Sequence, residues 1–140
     1  MLKGIPKIIS PELLKVLAEM GHGDEFVIGD GNFPGERVGK RCIRCDGHSV
    51  PDLLSAILEI FPLDTYEKPV YIMEKVPGDD VETPIWDEFA KIIKPHTNEK
   101  LTQIERHAFY ERAKSAYAVV MSGESALYAN IILKKGVVTE

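Results

Sequence analysis

The chain has 140 residues, a formal net charge of −5, 44% hydrophobic residues and 28% charged residues. This length and composition predict one compact domain over residues 1–140 and exclude intrinsic disorder. Nucleic-acid binding is disfavoured because the chain is mildly acidic and has no dense basic stripe. No apolar run reaches the roughly 20 residues that span a bilayer, and the amino terminus has no signal-peptide core. We therefore expect a soluble cytoplasmic protein with no membrane contact.

Helix-like and strand-like segments alternate along the chain, which predicts an α/β domain. Three helices begin at a Ser or Thr followed within two residues by proline, a combination typical of helix starts, and a fourth begins at Arg106. These four predicted helices cover residues 11–20, 49–61, 84–93 and 106–115. Short apolar runs predict strands over residues 25–29, 41–45, 70–73, 117–121 and 128–133. Gly123 and Glu124 predict a hairpin-like connection between the last two strands.

Two sequence motifs resemble known metal, redox or dinucleotide sites but lack the local geometry that those sites require. Cys42 and Cys45 form a C-x-x-C inside a predicted strand, where residues three apart point to opposite faces, so we expect them to stay unpaired. The segment from Gly29 to Gly35 has glycine spacing near that of a dinucleotide loop, but no well-formed helix follows to bind a phosphate. The four histidines contain no i, i+4 pair, so a metal site would require them to converge in space.

The segment Met20-Gly21-His22-Gly23-Asp24 is the first candidate for chemistry. Glycines on both sides leave the imidazole of His22 sterically open. His22 also follows the carboxyl end of the first predicted helix, where the helix dipole favours a positive charge. A histidine that holds a proton readily suits a general acid. The alternative is a glycine-rich helix stop that carries a solvated histidine.

Polar residues at the ends of other predicted elements are further candidates. Asp30 follows a buried strand, at the end where α/β proteins bind ligands, although an Asx turn would explain it equally well. Arg106 begins a helix, where the dipole disfavours a cation, so we suspect a role toward a ligand or an interface. Tyr128 and Asn130 are two apart on a predicted strand and are expected to face the same side, as a polar pocket or as an exposed sheet face.

Read together, these residues resemble the ribose pyranase and fucose mutarotase family along nearly the whole chain. The resemblance is carried by residues 2–5, 9–14, 19–25, 30, 32–34, 106, 109–113 and 128–137. Asn32-Phe33-Pro34 and Phe109-Tyr110-Glu111-Arg112 favour the fucose branch. The chain departs from the family pattern at Gly31 and Ala129, and it matches less well over residues 76–100. The resemblance implies one three-layer domain in which helices flank a mixed β-sheet.

The resemblance also implies an isomerase that interconverts the α- and β-anomers of L-fucopyranose. The alternatives are a D-ribose pyranase and a non-catalytic monosaccharide-binding protein. His22 is implied as the proton donor, with Asp30 either orienting it or binding a sugar hydroxyl, and Tyr128 either stacking on the sugar or sharing the proton relay. The implied sugar-binding residues are Asp30, Arg106, Tyr128, Ala129 and Asn130. No metal or cofactor is implied, and the expected partner is a second copy of the chain, in a closed homo-oligomer, a decamer, with sites near subunit boundaries.

Overall fold

The computed structural model describes residues 1–140 as a three-layer α/β domain. The helices are α1 (Pro11–Glu19), α2 (Gly35–Val38), α3 (Val50–Leu58), α4 (Ile85–Ile93) and α5 (Arg106–Ser115). The strands are β1 (Glu25–Gly29), β2 (Cys42–Cys45), β3 (Val70–Met73), β4 (Thr102–Ile104), β5 (Ala118–Ser122) and β6 (Ile131–Lys134). They form one sheet in the order β2-β5-β1-β6-β3-β4. Strand β6 runs antiparallel to both of its neighbours and the other pairs are parallel, so the predicted mixed sheet is confirmed.

Serine caps and proline fix the starts of two helices as the sequence predicts. The Ser10 hydroxyl accepts a hydrogen bond from the Leu13 amide at 3.1 Å, and the Ser49 hydroxyl does the same for Asp52 at 3.2 Å. The predicted start of α4 is wrong by one residue, because Pro84 has helical angles but lies at the cap position. The Thr83 carbonyl there accepts the Trp86 amide in a turn, and no side chain caps the helix.

Alternating side chains on the strands divide the core between the two faces of the sheet. Phe26 and Ile28 of β1 pack on the face covered by α1, α3 and α4, whereas Val27 packs on the face covered by α2 and α5. Because both faces are covered, the central strands are buried along almost their whole length rather than at every second residue. Cys42 and Cys45 follow the same rule and lie on opposite faces, unpaired, as predicted.

The predicted hairpin between the last two strands is wrong. Strands β5 and β6 both pair with β1, which lies between them, so the chain crosses the end of β1 to join them. The register pairs Ile28 with Ile131, and β6 therefore begins at Ile131 rather than at Tyr128. This crossing brings residues 123–130 over the carboxyl end of β1.

Two short elements have no clear signal in the sequence. Strand β4 has three residues, only partly buried, at the edge of the sheet. Helix α2 is a single turn of four residues, where Gly35 lies so close to Met121 that a larger side chain would collide with it. None of the five helices is long and apolar enough to cross a bilayer.

Candidate functional site

His22 lies in the turn between α1 and β1, at the amino end of the central strand. Its Nε2 atom is 2.9 Å from Oδ1 of Asp64, and its side chain is 43% exposed. The Asp64 side chain is only 3% exposed and also accepts the backbone N–H groups of Tyr66 and Glu67. The imidazole is thus tethered on one side and open to solvent on the other, with the Tyr66 ring packed 5.2 Å from it, centroid to centroid.

The lowered pKa of Asp64 shows that the proton between Asp64 and His22 belongs to His22. Burial alone would raise the pKa of Asp64, but the hydrogen bonds from His22 and from backbone N–H groups outweigh it and leave that pKa below its usual value. Asp64 is therefore an ionised carboxylate at neutral pH and can only accept hydrogen bonds. Nε2 of His22 must then be the protonated nitrogen, and Nδ1 is the atom left free to exchange a proton with a ligand.

The cation at the end of α1 is not His22 but Lys135. The Lys135 ammonium donates hydrogen bonds to the carbonyls of Leu17 and Met20, at 2.8 and 2.5 Å. It occupies the position that the helix dipole favours, so Lys135 provides the stabilising positive charge that the sequence predicts at His22. The backbone of Lys135 also pairs with the Gly23 amide and the Asp24 carbonyl, which fixes the path of the His22 turn.

A second polar group lies at the opposite, carboxyl end of β1. The Asp30 amide donates to Oδ1 of Asn130 at 2.8 Å, and Oδ1 of Asp30 accepts the Asn32 amide at 3.0 Å. The latter bond is an Asx turn, so the alternative explanation of Asp30 holds alongside its placement in a polar cluster. Asp30 and Asn130 are buried, and Ala129 is fully buried with its backbone N–H toward the Asp30 carboxylate. Burial outweighs these hydrogen bonds and raises the pKa of Asp30.

Helix α5 contributes its first turn to the same end of the sheet. Arg106 is its first residue, with an exposed side chain, and the preceding Glu105 caps the helix by accepting the Ala108 amide at 3.0 Å. The Glu105 carboxylate supplies the negative charge that the helix start favours and so offsets the mismatch expected for Arg106. One turn later, Tyr110 stacks on Phe33, with ring centroids 5.7 Å apart.

Tyr128 does not lie on a strand, and its predicted alignment with Asn130 on one sheet face is wrong. It precedes β6, and it is the only residue other than glycine with a positive φ, +56°. Its hydroxyl donates to Oδ2 of Asp79 at 2.6 Å, and this bond to a carboxylate raises the pKa of Tyr128. The left-handed conformation costs about 1–2 kcal/mol for a residue with a Cβ atom, so it has to be held by such contacts.

The structure brings five of the six predicted site residues to one end of the sheet and leaves the sixth at the other. Strand β1 alone separates the ends by about 13 Å, at roughly 3.3 Å per residue, and His22 and Asp30 lie beyond its two ends. Asp30 therefore cannot orient the His22 of its own chain. The residue that holds the imidazole is Asp64.

Asp64 and Lys135 are the residues that sequence reasoning missed. Asp64 is 42 positions from His22 and lies in no motif, so only the fold brings the two together. Lys135 stands in a two-lysine pair that gives no signal of a partly buried ammonium capping a helix. The four histidines do not converge, and no group of three or more His, Cys, Asp or Glu side chains could hold a metal ion.

A mixed sheet covered by helices on both faces, with polar groups at both ends of its central strand, defines a small three-layer α/β protein. The chain belongs to the RbsD / FucU transport protein family, whose family model matches residues 3–138. The resemblance seen in the sequence is thereby confirmed.

Individual relatives agree over almost the full length. A fucose mutarotase of Danio rerio is 52% identical over 145 residues, which cover 98% of this chain and 94% of the relative. The crystal structure of FucU from Bifidobacterium longum superposes with a TM-score of 0.95 at 61% identity, covering 98% of this chain and 100% of that one. The fucose mutarotase of Streptococcus pneumoniae, crystallised with L-fucose, superposes with a TM-score of 0.93 at 50% identity, covering 99% and 100%.

Proposed function

We propose that the protein is an L-fucose mutarotase, an isomerase that interconverts the α- and β-anomers of the sugar. The observation that carries the proposal is the His22–Asp64 pair, in which a buried carboxylate holds one ring nitrogen and leaves the other open. Full-length relatives about 50% identical are named fucose mutarotase, and one of them was crystallised with L-fucose, which supports the choice of sugar.

Mutarotation needs only proton movement at the hemiacetal. In the proposed cycle, the Nδ1–H of protonated His22 donates to the ring oxygen while the anomeric hydroxyl loses its proton to a base. The C1–O bond of the ring opens to the aldehyde, the C1–C2 bond rotates, and closure in reverse returns both protons. The Asp64 carboxylate stabilises the charged imidazole before it donates, as an aspartate does for histidine in other acid–base pairs.

Sugar recognition is assigned to the carboxyl end of β1. Oδ1 of Asn130 accepts the Asp30 amide and its Nδ2 group faces the Asp30 carboxylate, so one Nδ2 hydrogen remains for a sugar oxygen. The Asp30 carboxylate is proposed to accept from a sugar hydroxyl beside the N–H groups that it already accepts, and the exposed Arg106 offers further donors. These groups bind a neutral ligand through hydrogen bonds, with Ala129 contributing backbone at the floor of the site.

Because His22 and Asn130 lie at opposite ends of β1, one chain cannot present both to one sugar ring. We propose that the site forms between two copies, with His22 of one subunit facing the sugar-binding end of its neighbour. Such a head-to-tail contact is heterologous, and a heterologous contact forms a closed ring when its rotation closes. The proposed assembly is a decamer, and location in the cytoplasm stays a prediction from the sequence.

Exchange NMR tests the activity directly. Saturation of the α-fucose anomeric proton should transfer to the β-fucose signal faster with the protein present, and His22→Ala should reduce the acceleration by about 10²-fold or more. Undiminished exchange with His22→Ala would contradict the role of His22. Acceleration with D-ribose but not L-fucose would favour a ribose pyranase, and binding without acceleration would favour a non-catalytic sugar-binding protein.

Light scattering tests the assembly. Ten copies of the 15.6 kDa chain have a mass of about 156 kDa. A smaller closed ring would correct the number of subunits, whereas a monomer at micromolar concentration would refute the shared site.

A further inference from the structure

The left-handed backbone of Tyr128 is held by contacts from outside the sugar-binding cluster. The Trp86 indole N–H donates to the Tyr128 carbonyl at 2.8 Å. The Tyr128 hydroxyl donates to Asp79 and accepts the Val76 amide at 3.2 Å. Asp79 is itself fixed by the Val81 amide, which donates to its other oxygen at 3.2 Å. We call Val76, Asp79 and Trp86 the Tyr128 anchor. Val76 and Asp79 lie in the connection between β3 and α4, and Trp86 lies in the first turn of α4.

These bonds use the single proton of the Tyr128 hydroxyl and one of its lone pairs. A tyrosine hydroxyl has one proton, and here that proton is donated to the Asp79 carboxylate. One lone pair is occupied by the Val76 amide. Tyr128 therefore has no proton to give to a sugar oxygen, which argues against the proton relay expected from the sequence.

The same bonds set the direction of the following residues. Strand β6 lies between β3 and β1, and Tyr128 is bound to the loop that follows β3, whereas Asn130 is bound to the residue that follows β1. The chain thus turns at Tyr128 so that Ala129 is buried and the Asn130 amide reaches Asp30. If Tyr128 adopted an extended conformation, the Asn130 side chain would point in a different direction. A change of φ from the left-handed to the extended region at one residue rotates the whole segment that follows it.

We infer that Asp79 and Trp86 are positioning residues, which hold Tyr128 in its left-handed conformation and so place Asn130 for sugar binding. The inference rests on the proposed function for its kinetic consequence and on the observed bonds for its structural one. No hydrogen bond joins Asp79 or Trp86 to His22 or Asp30, whereas both are bonded to Tyr128.

A kinetic test separates positioning from proton transfer. Tyr128→Phe and Asp79→Ala should each raise the KM for L-fucose about tenfold while kcat changes by less than about threefold. Asp79→Asn retains an oxygen that can accept the phenolic proton, so its KM should stay within about threefold of the wild-type value. The Tyr128→Phe/Asp79→Ala double variant should be no worse than either single variant, since both remove the same bond.

A spectroscopic test works without any activity. Trp86 is the only tryptophan, so its indole N–H gives one unambiguous NMR signal. That proton should exchange slowly with solvent in the wild type and at least about tenfold faster in Asp79→Ala, with Asp79→Asn close to wild type. Thermal melts identify any variant that fails to fold.

The outcomes decide between the two roles of Tyr128. A loss of kcat by about 10²-fold or more in Tyr128→Phe, independent of Asp79, would overturn the inference in favour of a proton relay. Unchanged indole exchange in Asp79→Ala would overturn it as well. A wild-type protein that does not accelerate anomer exchange would refute the proposed function, and the indole measurement would still decide whether the Tyr128 anchor exists.

Discussion

Replacing Asp64 with asparagine tests the histidine–carboxylate pair with almost no change in shape. Oδ1 of Asp64 accepts from His22 and Tyr66, and Oδ2 accepts the Glu67 amide at 3.2 Å. In Asp64→Asn, the remaining side-chain oxygen still accepts the hydrogen bond from His22. The new NH₂ group faces the Glu67 N–H, so two donors meet and neither has an acceptor. One unsatisfied buried pair costs about 1–3 kcal/mol of stability.

The effect on catalysis should be larger than the effect on folding. Loss of the negative charge removes the group that stabilises protonated His22, so we expect kcat for anomer exchange to fall about 10²-fold, at the lower end of a general acid–base contribution. KM should change little, because the sugar-binding end is untouched. Exchange NMR over a range of L-fucose concentrations gives both constants, and urea denaturation gives the stability.

A matched control lies in the same turn. Asp24 is exposed and accepts the Gly21 amide at 2.7 Å without touching the imidazole. Asp24→Asn should change kcat by less than about threefold, as expected for a surface substitution. If Asp64→Asn retained wild-type kcat, the account of how the proton is placed on His22 would be refuted.

The pH dependence of stability gives a second measure of Asp64. Since its folded-state pKa lies below the unfolded value, its contribution is present above the unfolded pKa and is lost as the pH falls through the folded pKa. The stability difference between wild type and Asp64→Asn should therefore be full at neutral pH and should close below about pH 4. A difference that persists unchanged in acid would show that the charge of Asp64 is not its origin.

Two further substitutions test the ends of β1 by thermal and chemical denaturation. The raised folded-state pKa of Asp30 means that its charge costs stability above the unfolded pKa, so the wild type should gain stability relative to Asp30→Asn as the pH falls from 7 toward 4. Sugar binding should weaken in Asp30→Asn. A stability difference that does not change with pH would contradict this. Lys135→Met keeps the aliphatic stem but leaves the Leu17 and Met20 carbonyls without their ammonium donor. The free energy of unfolding measured in urea should fall by about 1–3 kcal/mol, and the Gly23 amide should exchange faster with solvent. An unchanged free energy of unfolding would refute the role of Lys135 as the cap of α1.

Local patterns predicted most of the elements because their signals are local. The apolar runs at β1 and β3 and the helix at Arg106 match the observed bounds. The start of β6 was misplaced because Tyr128-Ala129-Asn130 continues an apolar, strand-like run into Ile131, and a positive φ at a tyrosine leaves no trace in composition. Strand order was equally hidden, since β5 and β6 are consecutive in the chain but separated by β1.

In the candidate site, too, individual residues could be predicted from local features, whereas their arrangement could not. His22 stands out because flanking glycines are a local feature, and Asp30 because it follows a buried strand. The distance between them and the pairing of His22 with Asp64 depend on the register of the whole sheet. No local pattern distinguishes a residue that completes its own site from one that completes a neighbour's.

Complementation between two impaired variants, assayed at L-fucose concentrations below the wild-type KM, tests the central claim most directly. His22→Ala and Asn130→Ala each damage one end of β1, and co-expression with two different tags allows purification of mixed oligomers. In a head-to-tail ring assembled at random, about one quarter of the sites combine an intact His22 with an intact Asn130 from the neighbour. The account predicts that the mixed oligomer recovers about a quarter of the wild-type rate of L-fucose anomer exchange. A verified mixed oligomer that stays as inactive as its parents would contradict a site shared between subunits.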